Sequence, residues 1–453
     1  MRPTRPFPMP RRRGAPVAAL CVVAVTLLAA GCELYDGDLP PLDALHWPGS
    51  MVLHPSGSYL YILNTNFDAD YRNDLGGSIT VVDTETLQIL PDSTRCMASY
   101  GGQLALGTST WGVDDGGVEQ PRMLVATARG DGGITAFQLS PEGDRLTCLR
   151  QGEDIGSTCV NNMADLPGVT RRRRVLPCTV PTVVGDPVAI TAIAPTAPDA
   201  PDEQDAFAVI GLRGGQARMI TYIDGEIRGP NPRAGDEQRR RHLTEEPVTL
   251  ANGGITFATH PLTGQTYLGA RFESRIRVLR WLREPVTSYD ENPRAGFVSG
   301  VGQAALVQLP TLLATQEIRS IVFSDDGTRL YAIGSSPGVI NVIDTSLDDD
   351  GVPRNRPLAR VPVAGQPSQA VFIAGAARDR LYVTTLRDRR VLVFDADDLT
   401  RLTEIELGSQ PYALLADPWR DRLYVALFED SSVAVIDTRP DSATLNRIIA
   451  TIR

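Results

Sequence analysis

The hexapeptide Arg-Asp-Arg-Leu-Tyr-Val occurs at residues 378–383 and again at 420–425, with a degraded copy, Asp-Gly-Thr-Arg-Leu-Tyr, at 326–331. Each copy is followed by an apolar run that closes on an acid: Val-Leu-Val-Phe-Asp395, Val-Ala-Val-Ile-Asp437 and Ile-Asn-Val-Ile-Asp344. Repetition on this scale means stacked supersecondary units, each unable to bury its apolar faces alone. That constraint outweighs every other feature of the chain.

The same pattern extends upstream as an inner strand, a turn, a Tyr-containing strand, a short turn, an apolar strand and a weaker outer strand. The best copies alternate apolar and polar residues and are rich in β-branched and aromatic side chains, while helical periodicity is almost absent. Seven units can be traced. The first spans Ser50 to about Leu90, the second centres on 123–127 and 133–137, the third on 207–211 and 217–222, and the fourth on 255–260, 266–270 and 276–279. The last three carry Tyr331, Tyr382 and Tyr424, and residues 446–452 read as the final outer strand. Four short strands per unit predict an all-β fold: a seven-bladed β-propeller of four-stranded antiparallel blades.

Tyr382-Val383-Thr384 and Tyr424-Val425-Ala426, each followed by a strand ending in Asp, resemble the YVTN-type propeller repeat of bacterial and archaeal secreted and surface proteins. Tyr61-Ile62-Leu63-Asn64 keeps the Asn of that motif, which the later copies replace with Thr385 and Leu427. The resemblance is strong over 320–453 and 50–90 and weak between. It implies the fold. Members and the related lactonase-like propellers range from binding proteins to a few enzymes, so activity does not follow from it.

The N-terminus reads as an export signal: Arg2, Arg5 and Arg11 to Arg13, then an apolar segment from Ala15 to Ala30. Leu28-Ala29-Ala30-Gly31-Cys32 resembles a bacterial lipobox, which implies cleavage before Cys32, acylation of that residue and a membrane tether. Glu33, by the best-known sorting rule, points to the outer membrane, facing the periplasm or the exterior. The resulting organisation is a signal peptide over 1–31, a linker over 32–47 and a single propeller over 48–453. Insertions are expected near 150–187, 224–247 and 283–303.

The whole chain carries −10, and removing five Arg with the signal leaves about −10 − 5 = −15, which argues against nucleic-acid partners. All 44 basic residues are Arg, so mechanisms that need a Lys nucleophile are excluded. Beyond Cys21 and Cys32, four cysteines remain. In an oxidising compartment they suggest two disulfides, with Cys159–Cys178 and Cys96–Cys148 the preferred pairing of three possible ones.

Several residues are candidates for function. Asn231-Pro-Arg-Ala-Gly235 recurs as Asn292-Pro-Arg-Ala-Gly296, with Pro353-Arg354 in the corresponding place one unit later. Arg233, Arg294 and Arg354 could therefore converge as an anion or carboxylate site, unless the repeat is a remnant of duplication. The run Arg171, Arg172, Arg173 and Arg174 suits an acidic partner or envelope phosphates, or is a solvated loop. His54 and His260 both precede Pro at equivalent places and read as structural, whereas His46 and His242 have no partner suggested by spacing. The recurring Asp83, Asp344, Asp395 and Asp437 read as turn-forming Asx residues. No haem, Walker or Gly-x-Ser-x-Gly motif is present, and the Cys lack metal-ligand spacing, so no cofactor or metal is expected. The expectation is a monomeric, lipid-anchored disc. It binds a protein, glycan or envelope component and has no chemistry of its own. The alternative is a lactonase-like hydrolase using a carboxylate or metal in the central channel.

Overall fold

The computed structural model describes residues 38–453 apart from 72–74, 108–109, 114–116, 131, 148, 151–152, 155–178, 182–185, 193–205, 213–215, 224–225, 228–247, 250–252, 285–297 and 309–316. Within them the chain is all-β, the one helical turn being Pro91–Ser93. Consecutive strands pair antiparallel and in chain order, giving blades that follow one another along the sequence. The first blade is Pro48–Leu53, Tyr59–Asn64, Gly77–Asp83 and Arg95–Met97. The last is Pro411–Asp417, Arg422–Leu427, Ser432–Asp437 and Ile448–Ile452, so the C-terminal residues do form its outer strand.

The innermost strands stand side by side around a central channel. They are Pro48–Leu53, Gly101–Leu106, Pro187–Ala192, Gly254–Thr259, Ile318–Phe323, Pro367–Ile373 and Pro411–Asp417; each packs against the next, and the last against the first. This is the β-propeller arrangement. Five of the sheets have four strands. The sheets starting at Gly101 and Pro187 have a fifth, from Thr179–Pro181 and Val248–Thr249 respectively. In the sheet starting at Gly254, the third and fourth strands are long and stay paired from Arg275↔Gln308 to Glu284↔Val298.

Apolar side chains fill the spaces between blades. Tyr331, Ile333 and Ile340 meet Phe372, Leu381 and Val383 across one boundary. Leu60, Ile62 and Val82 meet Tyr424, Val433 and Val435 across the boundary that closes the ring. Each such side chain contributes roughly 1.5–3 kcal/mol on burial.

The repeated Tyr has a further task. Tyr61 Oη donates to Gly143 O (2.7 Å), Tyr267 to Asn355 Oδ1 (2.7 Å), Tyr331 to Ala396 O (2.8 Å) and Tyr382 to Asn446 Oδ1 (2.9 Å). Every one of these acceptors lies in the turn after the third strand of the following blade, so the hydroxyl staples neighbours together. The Arg two residues earlier acts alongside: Arg329 Nη1 donates to Ala396 O (3.1 Å), and Arg422 Nη1 to Thr84 O (2.7 Å). The hexapeptide is thus a between-blade clamp, through Arg422 and not the Tyr in its last copy, where Tyr424 Oη donates to Asp417 Oδ2 of its own blade (3.0 Å).

Among the described residues, ring closure uses no strand borrowed from the other terminus. Leu45 packs among Tyr424, Val433 and Ile452, Trp47 N donates to Ser431 Oγ (3.1 Å), and Arg420 Nη1 donates to Gly57 O. The segment around Leu42 to Trp47 therefore latches the first blade to the last.

Candidate functional site at the channel mouth

Inner strands begin at one end of the channel, here termed the mouth, and the antiparallel order fixes which loops lie there. The turns before each inner strand and those between second and third strands are at the mouth. The Tyr-clamp turns are at the far end.

Among the described residues, the far end is built of structural turns. Asp83 Oδ1 accepts the amides of Glu85 (3.0 Å) and Thr86 (2.8 Å), and Asp344, Asp395 and Asp437 accept those of Ser346, Asp397 and Arg439 in the same way. Hydrogen bonds from Ser442, Thr444 and Arg439 hold the Asp437 carboxyl well below the usual carboxylate range, although its burial works the other way. These are the expected Asx turns. His260 accepts the amides of Leu262 and Thr263 on Nδ1 (3.1 and 3.3 Å) and meets Thr345 O of the next blade through Nε2 (3.2 Å). His54 makes the corresponding local turn with Ser56 (2.7 Å). Arg354 is exposed at this end, with Nη1 on Ser346 Oγ (2.9 Å). Arg233, Arg294, Arg171 to Arg174, Cys32, Cys148, Cys159 and Cys178 lie outside the described residues, while Cys96 is buried in an outer strand.

The mouth is built differently. Every inner strand carries a register shift directly after its first residue. A bulge leaves a residue unpaired and re-aims its side chain. Here the unpaired residues are Gly49, Gly102 with Gln103, Val188, Ile255, Arg319, Ser368 with Gln369, and Tyr412. They form a ring of side chains at one level of the channel. Hydroxyls capture the amides freed by the bulges: Thr127 Oγ1 accepts Gln103 N (2.9 Å), and Thr384 Oγ1 accepts Gln369 N (2.9 Å). Gln103 Oε1 in turn accepts Ile190 N of the next blade (3.4 Å).

One step outward, the residues before the inner strands adopt left-handed backbone: Trp47 at φ 52°, Tyr100 at 61°, Asp186 at 59° and Gln366 at 63°. Each such non-glycine residue costs about 1–2 kcal/mol. The conformation aims each carbonyl at the amide following the second strand, as in Asp186 O with Leu212 N (2.9 Å) and Gln366 O with Leu386 N (3.1 Å).

Arg319 is the charged member of the bulge ring among the described residues. Its Nη2 lies 2.7 Å from Glu317 Oε1, and Arg271 Nε of the preceding blade lies 3.4 Å from that same oxygen. Two guanidiniums thus share one carboxylate, leaving an excess positive charge. Arg319 Nε is buried and has no acceptor among the described residues. A buried donor without a partner costs roughly 1–3 kcal/mol, so it calls for an explanation. Another mouth carboxylate, Asp186, is held bidentately by Arg129 at 2.6 and 3.1 Å. Among the described residues, no three of His, Cys, Asp or Glu assemble as metal ligands would. Sequence reasoning missed this site because its members share no residue type. The usable signal was Pro48, Pro187, Pro367 and Pro411, which open four of the inner strands and mark where pairing begins.

No family model and no curated protein matches the chain. Solved structures do. The periplasmic gluconolactonase of Pseudomonas aeruginosa is 14% identical with TM-score 0.51, over 83% of this chain and 92% of that one. A hydrazine synthase chain of Kuenenia stuttgartiensis is 13% identical with TM-score 0.50, over 88% and 97%. At such identities the likeness establishes one thing, that the chain has the β-propeller fold these proteins share.

Proposed function

We propose that this protein is an exported propeller, of seven blades by its inner strands, that binds an oxygen-rich anionic ligand of the sugar-acid class at its channel mouth. The buried, unpartnered Arg319 Nε carries this reading, because a carboxylate is the acceptor such a donor lacks. Gln369 follows Arg319 in the ring and supplies an amide for hydroxyls. The N-terminal motifs complement it: tethering through Cys32 at the outer membrane would place the mouth in the envelope. The pairings Cys96–Cys148 and Cys159–Cys178 would suit that oxidising compartment.

The same site supports a second reading, hydrolysis of a sugar lactone. Water would add to the lactone carbonyl, the ring C–O bond would break, and the hydroxy acid would leave with its carboxylate on Arg319. A guanidinium beside the carbonyl would stabilise the oxyanion that develops. The likeness to a gluconolactonase structure fits this reading in fold alone. The test is calorimetric titration with D-gluconate, alongside hydrolysis of D-glucono-1,5-lactone. Arg319→Gln should weaken gluconate binding at least tenfold, about 1.4 kcal/mol. Turnover lost in Arg319→Gln would make the protein an enzyme. Neither binding nor turnover by the wild type would remove both readings.

A further inference from the structure

The geometry points to a second binding surface, independent of Arg319: an aromatic shelf where the first and last blades meet, docking an arginine side chain of a partner polypeptide. Its floor is Phe428, which is buried and stacks on Tyr412 with ring centroids 4.6 Å apart. Trp47 and Phe67 meet Phe428 edge-on at 4.9 and 5.3 Å. The shelf is open on its outer side, since Phe67 is 58% and Tyr412 41% exposed. Exposed aromatic faces grouped in this way mark an interaction site.

Charge identifies the occupant. The two loops that bring the phenylalanines together are equivalent, and each continues into acids: Phe67-Asp68-Ala69-Asp70 from the first blade and Phe428-Glu429-Asp430 from the last. Asp68 and Asp70 crowd each other, with Asp70 N on Asp68 Oδ1 (3.4 Å), and the Asp68 carboxylate pushes the Asp70 carboxyl above its usual value. Glu429 already faces one guanidinium, that of Arg389 at 3.5 Å, in a half-exposed pair. Among the described residues, four carboxylates against one cation, beside ring faces whose quadrupole is negative, favour a positive ligand over a neutral sugar. The openness of the shelf decides the kind of cation. An enclosed ammonium needs walls on every side, whereas a flat guanidinium stacks on an open ring and reaches carboxylates from its edge.

The probe is a fluorescently labelled tetra-arginine peptide titrated against the mature protein in detergent, read by anisotropy. Phe67→Leu keeps the apolar bulk and removes the quadrupole, and it should weaken binding about five- to tenfold. Asp68→Asn with Asp430→Asn should weaken it further and flatten its salt dependence, because screened charges contribute less. Arg319→Gln should leave it unchanged, which separates this surface from the Arg319 site. Melting temperatures within a few degrees of wild type would show that the exposed substitutions leave the fold intact. Equal affinity of wild type and Phe67→Leu for the peptide would overturn the proposal. Displacement of the peptide by maltose but not by methylguanidinium would overturn it as well, and would make the shelf a sugar platform.

Discussion

Replacing Tyr61 and Tyr331 separately by Phe tests the between-blade clamp, because the two hydroxyls leave different acceptors behind. Both rings are buried and both substitutions preserve ring shape, so packing is held constant. Tyr61 Oη is the donor to Gly143 O at 2.7 Å, and its removal strands a buried carbonyl. That costs about 1–3 kcal/mol. Ala396 O, by contrast, keeps Arg329 Nη1 at 3.1 Å when the Tyr331 hydroxyl is gone. Only the net value of one hydrogen bond is then lost, about 0.5–1 kcal/mol. Urea unfolding followed by near-ultraviolet circular dichroism should show lower midpoints in both variants at unchanged slope, with Tyr61→Phe the more damaging. Equal losses, or a larger loss at Tyr331, would refute the claim that acceptor redundancy sets the strength of each staple.

Two further outcomes are expected. Burial pushes the His46 imidazole down to about 4, against the opposing hydrogen bond to Gly76 O and the charge of Asp68. The ring is therefore neutral in the fold, and its contribution, present above pH 6.5, is lost as pH falls toward 4. The loss amounts to about 3 kcal/mol. His46→Gln should accordingly lose less stability than wild type between pH 7 and pH 4, and superimposable profiles would count against the buried neutral ring. Cys32→Ala should move the protein from the membrane to the soluble periplasmic fraction, and undiminished membrane retention would dispose of the lipid anchor.

Much of the fold was legible because its determinants repeat. The Tyr strands, the apolar runs closing on Asp and the final outer strand all recur with local spacing, and the structure places them in corresponding positions of successive blades. The Asx turns and the structural histidines were legible for the same reason. The mouth was not. Its ring draws glycine, glutamine, valine, isoleucine, arginine and tyrosine from equivalent bulges, so position unites residues that chemistry does not. Arg271 and Glu317 come from different blades, and no local pattern announces their pairing. The sequence did draw attention to the Pro-Arg repeat, but Arg354, its described member, lies at the end of the channel opposite the mouth. The aromatic shelf was hidden similarly, since Phe67 and Phe428 meet only when the ring closes.

Closure by contact, without a shared strand, sets an order on biogenesis. Every blade is contiguous in sequence and can form as soon as its own strands emerge, which keeps most pairings local and fast. The first blade is the exception. Its outward apolar face, with Leu60, Ile62 and Val82, has no cover until Tyr424, Val433 and Val435 arrive from the far end of the chain. Until then the nascent protein exposes a sticky flank that invites association with its neighbours. Removal of Ile448–Ile452 would leave that flank without part of its cover, so this outer strand completes the apolar seam between the first and last blades.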